Sequence, residues 1–436
     1  MDASVYATRR ALLASRMERG VAVIPTAPER TRNRDAHYPY RFDSYFYYLT
    51  GFGEPEAVLV VIAGDGPKSA SRSILFCRAK DPEREVWDGF RYGPEAARAT
   101  FGFDEAHPIG RIDELMPELL SNRSALFSHL GGDADWDAHV MRWVNDVRGR
   151  ARAGVTAPQT IADVHAILDE MRLVKDSSEI ETMQRAADIS TGAHRRAMQA
   201  VKPGVGEFAI EAELMHEFRR HGAQAPAYTP IVASGAHACV LHYVENSDVM
   251  RDGDLLLIDA GCELDGYASD ITRTFPVNGR YSGPQRDVYE LVLAAQQAAI
   301  AEVKPGRPWN AAHDAAVNVL AQGFLDLGLL QGSLQQVLET ESYKKFYMHR
   351  TGHWLGLDVH DAGDYKRDGE WRELVPGMVL TVEPGCYIRP GPHVPERYAG
   401  IGVRIEDDAL VTESGCEIIT AAAPKTVSDI EALMRS

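Results

Sequence analysis

Two aspartates, Asp259 and Asp270, are the first residues whose type and spacing point to chemistry. They lie in LLLIDAGCELDGYASDITRTF, Leu255 to Phe275, where a short apolar run enters the first acid, turns at Asp265 and Gly266, and returns through the second. Asp-Gly between two strand-like runs predicts a two-residue hairpin. Leu264 then faces Tyr267, Gly261 faces Asp270, and Asp259 is a diagonal neighbour of Asp270, about 7 to 8 Å away at the backbone. Both carboxylates can reach one object between them. Acids beside a hairpin are usually solvated, but Leu255 to Ile258 contains no polar residue, which predicts a strand buried on both faces. Two buried carboxylates with nothing between them repel each other, so a metal ion is the expected occupant.

An internal repeat enlarges the group. GDLLLIDAG, Gly253 to Gly261, matches GMVLTVEPG, Gly377 to Gly385, so Asp259 and Glu383 hold equivalent places. Val201-Lys202-Pro203-Gly204 likewise recurs as Val303-Lys304-Pro305-Gly306, each time between helical stretches, of which the second ends near Gly222 or Gly328. Each copy carries a later acid, Asp270 in the first and Glu406 of Val403-Arg404-Ile405-Glu406 in the second. Two copies about a pseudo-twofold axis bring four carboxylates together, a set suited to two divalent cations. A lone histidine is usually a core residue, but His349, His353 and His360 fall in the single stretch HRTGHWLGLDVHD. Interleaved with glycines and close to the acids, they are the expected source of a remaining ligand. Four acids to one histidine argues against a mononuclear iron oxygenase, which needs two histidines and one carboxylate.

The elements that must position these residues come from a chain of 436 residues, long enough for two or three domains. Hydrophobic residues make up 45% and charged residues 25%, the mix of a globular protein, and a net charge of -17 argues against nucleic acid. The first residues read as an amphipathic helix. Arg9, Arg10 and Arg16 hint at an organelle transit peptide, but Glu18 and the strand-like GVAVIP predict a folded first element, no membrane association and a cytoplasmic location. The five cysteines form no CxxC pair and are expected to be reduced.

Residues 1 to about 150 alternate helix and strand. Gly20 to Pro25, Ala57 to Ile62 and Ser73 to Phe76 are predicted strands, and Met116 to Leu120 and Trp136 to Val147 have helical spacing, which together indicate an α/β domain. The aromatic stretch Tyr38 to Phe52 is expected either as a core strand or as a wall of a binding site. Arg148 to Pro158 has linker composition, a helix should run from there to Arg172, and Asp176 with Glu179 forms a capping box for a long helix ending near Val201. The division falls between about 150 and 175, giving domains 1–172 and 173–436.

Taken together, HRTGHWLGLDVHD, LLLIDAG, ASDITRTF, TVEPG and RIED resemble the proline-peptidase branch of the dimetal methionine-aminopeptidase-like superfamily, most of all its bacterial aminopeptidase P group. YPYRFDSYFYYLTGF extends the likeness into the first domain. The resemblance implies an α/β creatinase-like N-terminal domain followed by an α+β pita-bread catalytic domain with a pseudo-twofold repeat. It implies two divalent ions, manganese expected with cobalt, zinc or iron as alternatives, held by Asp259, Asp270, His353, Glu383 and Glu406. Asp270 and Glu406 would bridge, Asp259 would hold one ion, and His353 with Glu383 the other. Four carboxylates balance two divalent ions, and Arg404, on the strand face of Glu406, can reach an adjacent carboxylate.

The activity implied is hydrolysis of the bond before a proline in second position, by a metal-bridging hydroxide, with Glu383 shuttling the proton. His349 and His360 would bind substrate or the intermediate, and His242 the proline side. Asp35, Trp87, Tyr387 and Arg350 are candidate substrate contacts, the first two partly through subunit contacts in a homo-oligomer, a dimer or tetramer. A prolidase acting on Xaa-Pro dipeptides is the alternative, and a metal-free binding protein of the same fold a distant one. Metal-free proteins of this fold replace ligands, whereas all five positions are filled here.

Overall fold

The computed structural model describes residues 2–17, 19–64 and 70–436, so Glu18 lies outside the described residues. The chain divides into two compact units, 1–171 and 172–436.

The first unit is built on a sheet of order β6-β5-β4-β1-β7-β8. Its strands are β1 (Val21–Pro25), β4 (Val58–Ile62), β5 (Arg72–Cys77), β6 (Glu105–Pro108), β7 (Ala125–Phe127) and β8 (Thr160–Ala162), while β2 (Thr31–Asn33) and β3 (Ala36–His37) form a separate ribbon. β7 runs parallel to both β1 and β8, and β5 parallel to β6. Helices α1 (Ala3–Arg16), α2 (Ser44–Thr50), α3 (Pro82–Asp88), α4 (Gly93–Phe101), α5 (Ile112–Leu120) and α6 (Ala134–Arg148) complete the unit, and α7 (His165–Leu173) crosses the division. Two of the three arginines that hinted at a transit peptide, Arg9 and Arg10, are structural, while Arg16 is exposed. Arg9 donates to the Tyr48 carbonyl at 3.1 Å, and Arg10 to the carbonyls of Leu49 at 3.0 Å and Gly102 at 2.6 Å, satisfying the carboxyl ends of α2 and α4.

Two expectations are corrected. The aromatic stretch holds a helix, α2, rather than a strand. The Asp43 carboxylate accepts the Phe46 N–H at 2.8 Å, and Gly51 ends the helix at φ +64°, so capping overrides the β preference of tyrosine and phenylalanine. The linker-like Arg148 to Pro158 lies inside the first unit. It connects α6 to β8, and the Asn122 N–H donates to the Thr156 carbonyl at 2.8 Å.

In the second unit, α8 (Ser177–Ala200) opens with the Asp176/Glu179 capping box and leads into α9 (Glu207–Arg220). Helix α10 (Gly283–Glu302) opens with a Ser282/Gln285 box and leads into α11 (Ala311–Asp326). Both Val-Lys-Pro-Gly joints end on a glycine in the left-handed region, Gly204 at φ +89° and Gly306 at φ +78°. Each glycine donates to an equivalent carbonyl, Gly204 to Met250 at 2.8 Å and Gly306 to Leu374 at 2.9 Å. The duplication thus extends from sequence to hydrogen bonding. Shorter helices α12 (Leu334–Glu339) and α13 (Val427–Arg435) follow. No helix among the described residues is long and apolar enough to cross a membrane.

The strands of this unit are β9 (Ala225–Pro226), β10 (Ile231–Ser234), β11 (Leu255–Asp259), β12 (Cys262–Leu264), β13 (Tyr267–Ala268), β14 (Thr272–Pro276), β15 (Lys366–Arg367), β16 (Glu370–Trp371), β17 (Val379–Val382), β18 (Gly385–Ile388), β19 (Ile401–Arg404), β20 (Asp407–Val411) and β21 (Cys416–Ile418). Leu264 pairs with Tyr267 and Asp259 with Thr272, one continuous register across the hairpin. The hairpin is nevertheless split between two sheets, β10-β11-β14 and β13-β12-β9. The second copy splits the same way, into β17-β20-β21 and β18-β19. Val382 pairs with Asp407 and Gly385 with Arg404, so Glu383 and Glu406 hold facing positions at the split. The halves are clamped by Arg273, wholly buried. Its five N–H groups reach the carbonyls of Thr272, Glu406, Ala423 and Pro424 and, at 2.7 Å, the Asp407 carboxylate.

Gly261 makes the first split possible, because a Cβ there would lie 1.7 Å from the Ser269 carbonyl oxygen. Gly261→Ala is therefore expected to destabilise the chain by about 3 kcal/mol or more, as overpacking against backbone does. Thermal unfolding checks this, and an unchanged midpoint would refute the close approach.

Candidate metal centre

The breaks between sheets are where the acids sit. Asp259 closes β11, Asp270 falls between β13 and β14, Glu383 between β17 and β18, and Glu406 between β19 and β20. At a break the strand turns out of its ladder, which frees the side chain to point along the seam. Backbone groups around the seam stay paired: the Glu406 N–H donates to Thr272 O at 3.1 Å, Glu383 N–H to Thr351 O at 2.7 Å, and Asp270 N–H to an Asp408 oxygen at 3.1 Å. The Tyr228 hydroxyl lies 2.6 Å from Asp259 Oδ1 and also contacts Asp270 Oδ1. Thr272 Oγ1 donates to Glu406 Oε2 at 2.6 Å.

The histidine stretch is brought alongside by pairing with β17. Trp354 bridges to Leu380, the Thr381 N–H donates to His353 O at 2.9 Å, and Gly352 packs so closely that a Cβ would sit 2.0 Å from the Thr381 carbonyl oxygen. Farther along, Asp361 is buried between Arg172 at 2.5 Å and Lys175 at 2.8 Å, which anchors the far end of the stretch. His353 Nδ1 donates to the Trp354 carbonyl at 2.9 Å, so in the neutral ring Nε2 is the nitrogen with the lone pair. That lone pair faces Asp270 Oδ2 at 3.5 Å and Glu383 Oε1 at 3.9 Å.

An acceptor turned toward two carboxylates needs a cation or a proton between them. Oxygen and nitrogen atoms of Asp270, His353 and Glu406 lie within 4.8 Å of one another. Burial, reinforced by Asp259, pushes the Asp270 carboxyl far above its usual range, and burial with repulsion from Asp270 does the same to Glu406. Burial and then Glu406 push Glu383 up to about 8. Arg404 binds one of the four, its Nη2 2.6 Å from Asp259 Oδ2. One guanidinium cannot balance four carboxylates, two buried and two half-buried, and a single phenol proton cannot serve two of them. Two divalent ions would, and hard oxygen donors with one imidazole fit such ions.

The cluster opens on a cleft of about 620 Å³ lined by His242, His349, Arg350, His360, Leu241 and Val244 among others. The His353 and His360 rings meet edge to face with centroids 4.4 Å apart. His349 Nδ1 donates to the Arg350 carbonyl at 2.7 Å, which makes Nε2 the acceptor of the Tyr387 hydroxyl at 2.8 Å, and Tyr387 in turn accepts from Arg404 at 3.1 Å. Burial, then Arg404, hold His349 down to about 4, so the ring is neutral near pH 7.

The second unit thus gathers ten of the residues the sequence singles out. Tyr387 differs from expectation, being buried behind His349 rather than lining the cleft. Asp35 and Trp87 belong to the first unit, Asp35 exposed in the β2–β3 turn and Trp87 83% exposed on α3. Sequence reasoning missed Tyr228, Thr272 and the pair Asp407 and Asp408. The run Glu406-Asp407-Asp408 was the available signal for that pair. Tyr228 carried none.

Residues 181–413 match the model of metallopeptidase family M24, and residues 6–127 that of the aminopeptidase P N-terminal domain. The chain is 45% identical to the Xaa-Pro aminopeptidase of Escherichia coli (strain K12) over 98% of its own length and 97% of the relative's. To the Xaa-Pro aminopeptidase of Haemophilus influenzae it is 46% identical over 93% and 91%. Among solved structures, Pseudomonas aeruginosa aminopeptidase PepP superposes with a TM-score of 0.97 at 51% identity, covering 100% of this chain and 98% of that one. Zinc-substituted E. coli aminopeptidase P in complex with product superposes with the same TM-score at 44% identity and the same coverages.

The raised carboxyls carry a sign that can be checked. In the metal-free chain Glu383 holds its proton up to about 8 against an ordinary 4.5, so between these values the folded state binds more protons than the unfolded one. That contribution to stability is full below 4.5 and is lost as the pH rises through about 8. Metal-stripped protein should melt at a lower temperature at about pH 8.5 than at about pH 6.5. Saturation with a divalent ion should raise the midpoint more at the higher pH; calorimetry showing the opposite trend would refute the account.

Proposed function

The chain belongs to metallopeptidase family M24, and on that premise we propose that it is an Xaa-Pro aminopeptidase, a divalent-metal-dependent hydrolase that removes the residue preceding a proline in second position. The observation that carries the reading is the seam of four carboxylates, Asp270 and Glu406 buried and Asp259 and Glu383 half-buried, with one inward-facing imidazole beside an open cleft. Relatives of 45% and 46% identity named for this activity, together with the aminopeptidase P type of N-terminal domain, favour it over the dipeptidase reading. All five ligand positions being filled stands against a metal-free binding protein. In this reading residues 173–436 form the pita-bread catalytic domain and 1–172 the creatinase-like domain.

Asp259, Asp270, His353, Glu383 and Glu406 would hold two divalent ions, with manganese preferred and cobalt, zinc or iron as alternatives. When bound, such a pair activates a water as nucleophile and polarises the scissile carbonyl. Glu383 takes the proton released as water adds to the carbonyl carbon and delivers it to the proline nitrogen as the C–N bond breaks. His353, fixed through its Nδ1–H, presents Nε2 without rotational freedom. Arg404 neutralises Asp259 and, through Tyr387, orients His349. His349, His360 and Arg350 bind the peptide around the scissile bond. His242, beside Leu241 and Val244, meets the proline ring, for which that apolar wall is suited.

The reading extends to a homo-oligomer, a dimer or tetramer, in which exposed Asp35 and Trp87 approach the substrate of a neighbouring copy, and to a cytoplasmic setting, in keeping with five unpaired cysteines.

Xaa-Pro-Xaa tripeptides and Xaa-Pro dipeptides offered in parallel, with manganese and with chelator, test the reading. Tripeptide turnover that chelator abolishes is expected, and turnover confined to dipeptides would decide for a prolidase. Asp270→Asn should lose both full metal occupancy and activity, with kcat/KM falling by about 10³-fold or more. A fully active, metal-free Asp270→Asn chain would sink the mechanism.

A further inference from the structure

The proline-side wall of the cleft is carried by a loop, and one buried acid ties that loop down. Strand β10 ends at Ser234, and the chain returns to the start of α9 at Asp248. Between these points Leu241, His242 and Val244 line the cleft. Glu207, the first residue of α9, is wholly buried at the neck of the loop.

The Glu207 carboxylate accepts two hydrogen bonds on each oxygen. The Ser234 N–H and hydroxyl donate to Oε1 at 2.8 Å and 2.7 Å, and the Tyr243 hydroxyl and Asp248 N–H donate to Oε2 at 2.8 Å and 2.9 Å. The Glu207 N–H returns a bond to the Asp248 carbonyl at 2.9 Å. His237 completes the group, its Nδ1 3.6 Å from Oε1 and its ring stacked on Tyr243 with centroids 4.4 Å apart. Burial opposes the charge, but the Ser234, Asp248 and Tyr243 donors hold the carboxyl below its ordinary range, so it is ionised near pH 7. A glutamine has a single acceptor oxygen and could serve Ser234 or the Tyr243 and Asp248 pair, not both. Only the carboxylate holds the two ends of the loop and its middle at once.

Ser234 and Asp248 suffice to close the neck, whereas Tyr243 reaches Glu207 from the middle of the loop. Tyr243 is buried and its neighbours His242 and Val244 are exposed, the alternation of extended chain. Pinning the Tyr243 hydroxyl inward therefore turns both neighbours toward the cleft. We propose that Glu207 is a positioning residue, which through Tyr243 fixes how His242 and Val244 stand in the cleft and so how tightly the site holds a proline-bearing peptide. The proposal rests on the reading of His242 as the proline-side contact.

Tyr243→Phe removes one donor and leaves those of Ser234 and Asp248, while Glu207→Gln breaks a pair; both are compared with the unsubstituted, metal-loaded full-length chain. For Tyr243→Phe, KM for an Xaa-Pro-Xaa tripeptide is expected to rise about 10-fold, the equivalent of one hydrogen bond to a charged group, with kcat within about twofold. Glu207→Gln should raise KM at least as far. In a His242→Ala background Tyr243→Phe should add less than about twofold, because the two changes act at one point. A purely structural role would lower kcat with the folded fraction and leave KM unchanged. That outcome, or the full rise in KM repeated in the His242→Ala background, overturns the proposal. Hydrogen exchange read by mass spectrometry without substrate should quicken over residues 235–248 of Tyr243→Phe and not elsewhere. Unchanged exchange there overturns the tether whether or not the chain turns over tripeptides, which separates its failure from failure of the peptidase reading.

Discussion

Everything in the second unit answers to one electrostatic constraint, the placing of four carboxylates in one seam, two of them buried, with one guanidinium on Asp259. Like charges that close in a dry setting cannot all stay ionised without added cations. The unit does not relieve the conflict with further basic residues. The nearby cations are engaged by other acids, Arg273 and Lys425 by Asp407 at 2.7 Å each, and Arg172 and Lys175 by Asp361 at 2.5 Å and 2.8 Å. None of these four is hydrogen-bonded to a carboxylate of the seam. A surplus so carefully isolated is a binding potential for divalent ions, held open by the surrounding ion pairs.

Duplication explains how a chain can afford such a seam. One hairpin that breaks between two sheets exposes two acids at the break, and two copies facing each other double the number without any new type of element. The copies are not identical in register. Asp259 faces Thr272 and is diagonal to Asp270, whereas Glu383 and Glu406 face each other. The longer glutamates reach across from positions that aspartates could not use in the same way. Departure from exact symmetry is therefore part of how four side chains of two lengths meet at one seam.

Much of this was legible in the sequence, for reasons that can be named. The hairpin register followed from a two-residue Asp-Gly turn, whose Asp265 and Gly266 both adopt positive φ, 50° and 84°. The capping box at Asp176 and the paired Val-Lys-Pro-Gly joints are local signals with local causes. The α2 helix was misread because aromatic residues favour strands on average, and only the Asp43 cap and the left-handed Gly51 decide otherwise. The linker was misread because small and basic residues suit any exposed loop, whether it joins domains or, as here, joins α6 to β8. Tyr228 and Thr272 could not be found at all, since the contact of Thr272 with Glu406 depends on how the two halves dock and that of Tyr228 with Asp259 and Asp270 on how the first half folds, and neither leaves a spacing in the chain.

The orientation of the histidines belongs to the same class of hidden information, yet it obeys a rule. In both His349 and His353 the Nδ1–H is taken by the carbonyl of the next residue, at 2.7 Å and 2.9 Å. A bond to the following carbonyl needs no partner from elsewhere in the fold, so the backbone alone fixes the tautomer and turns Nε2 outward. The rings then diverge by what Nε2 meets. For His349 it is the Tyr387 hydroxyl, itself steered by Arg404, and for His353 it is the gap between Asp270 and Glu383. One local device thus serves two settings, an imidazole tied through Tyr387 to Arg404 and an imidazole turned toward two carboxylates. What separates them is the cross-strand contact, which is why the histidine-rich stretch could be recognised as chemical from its sequence while the division of labour within it required the fold.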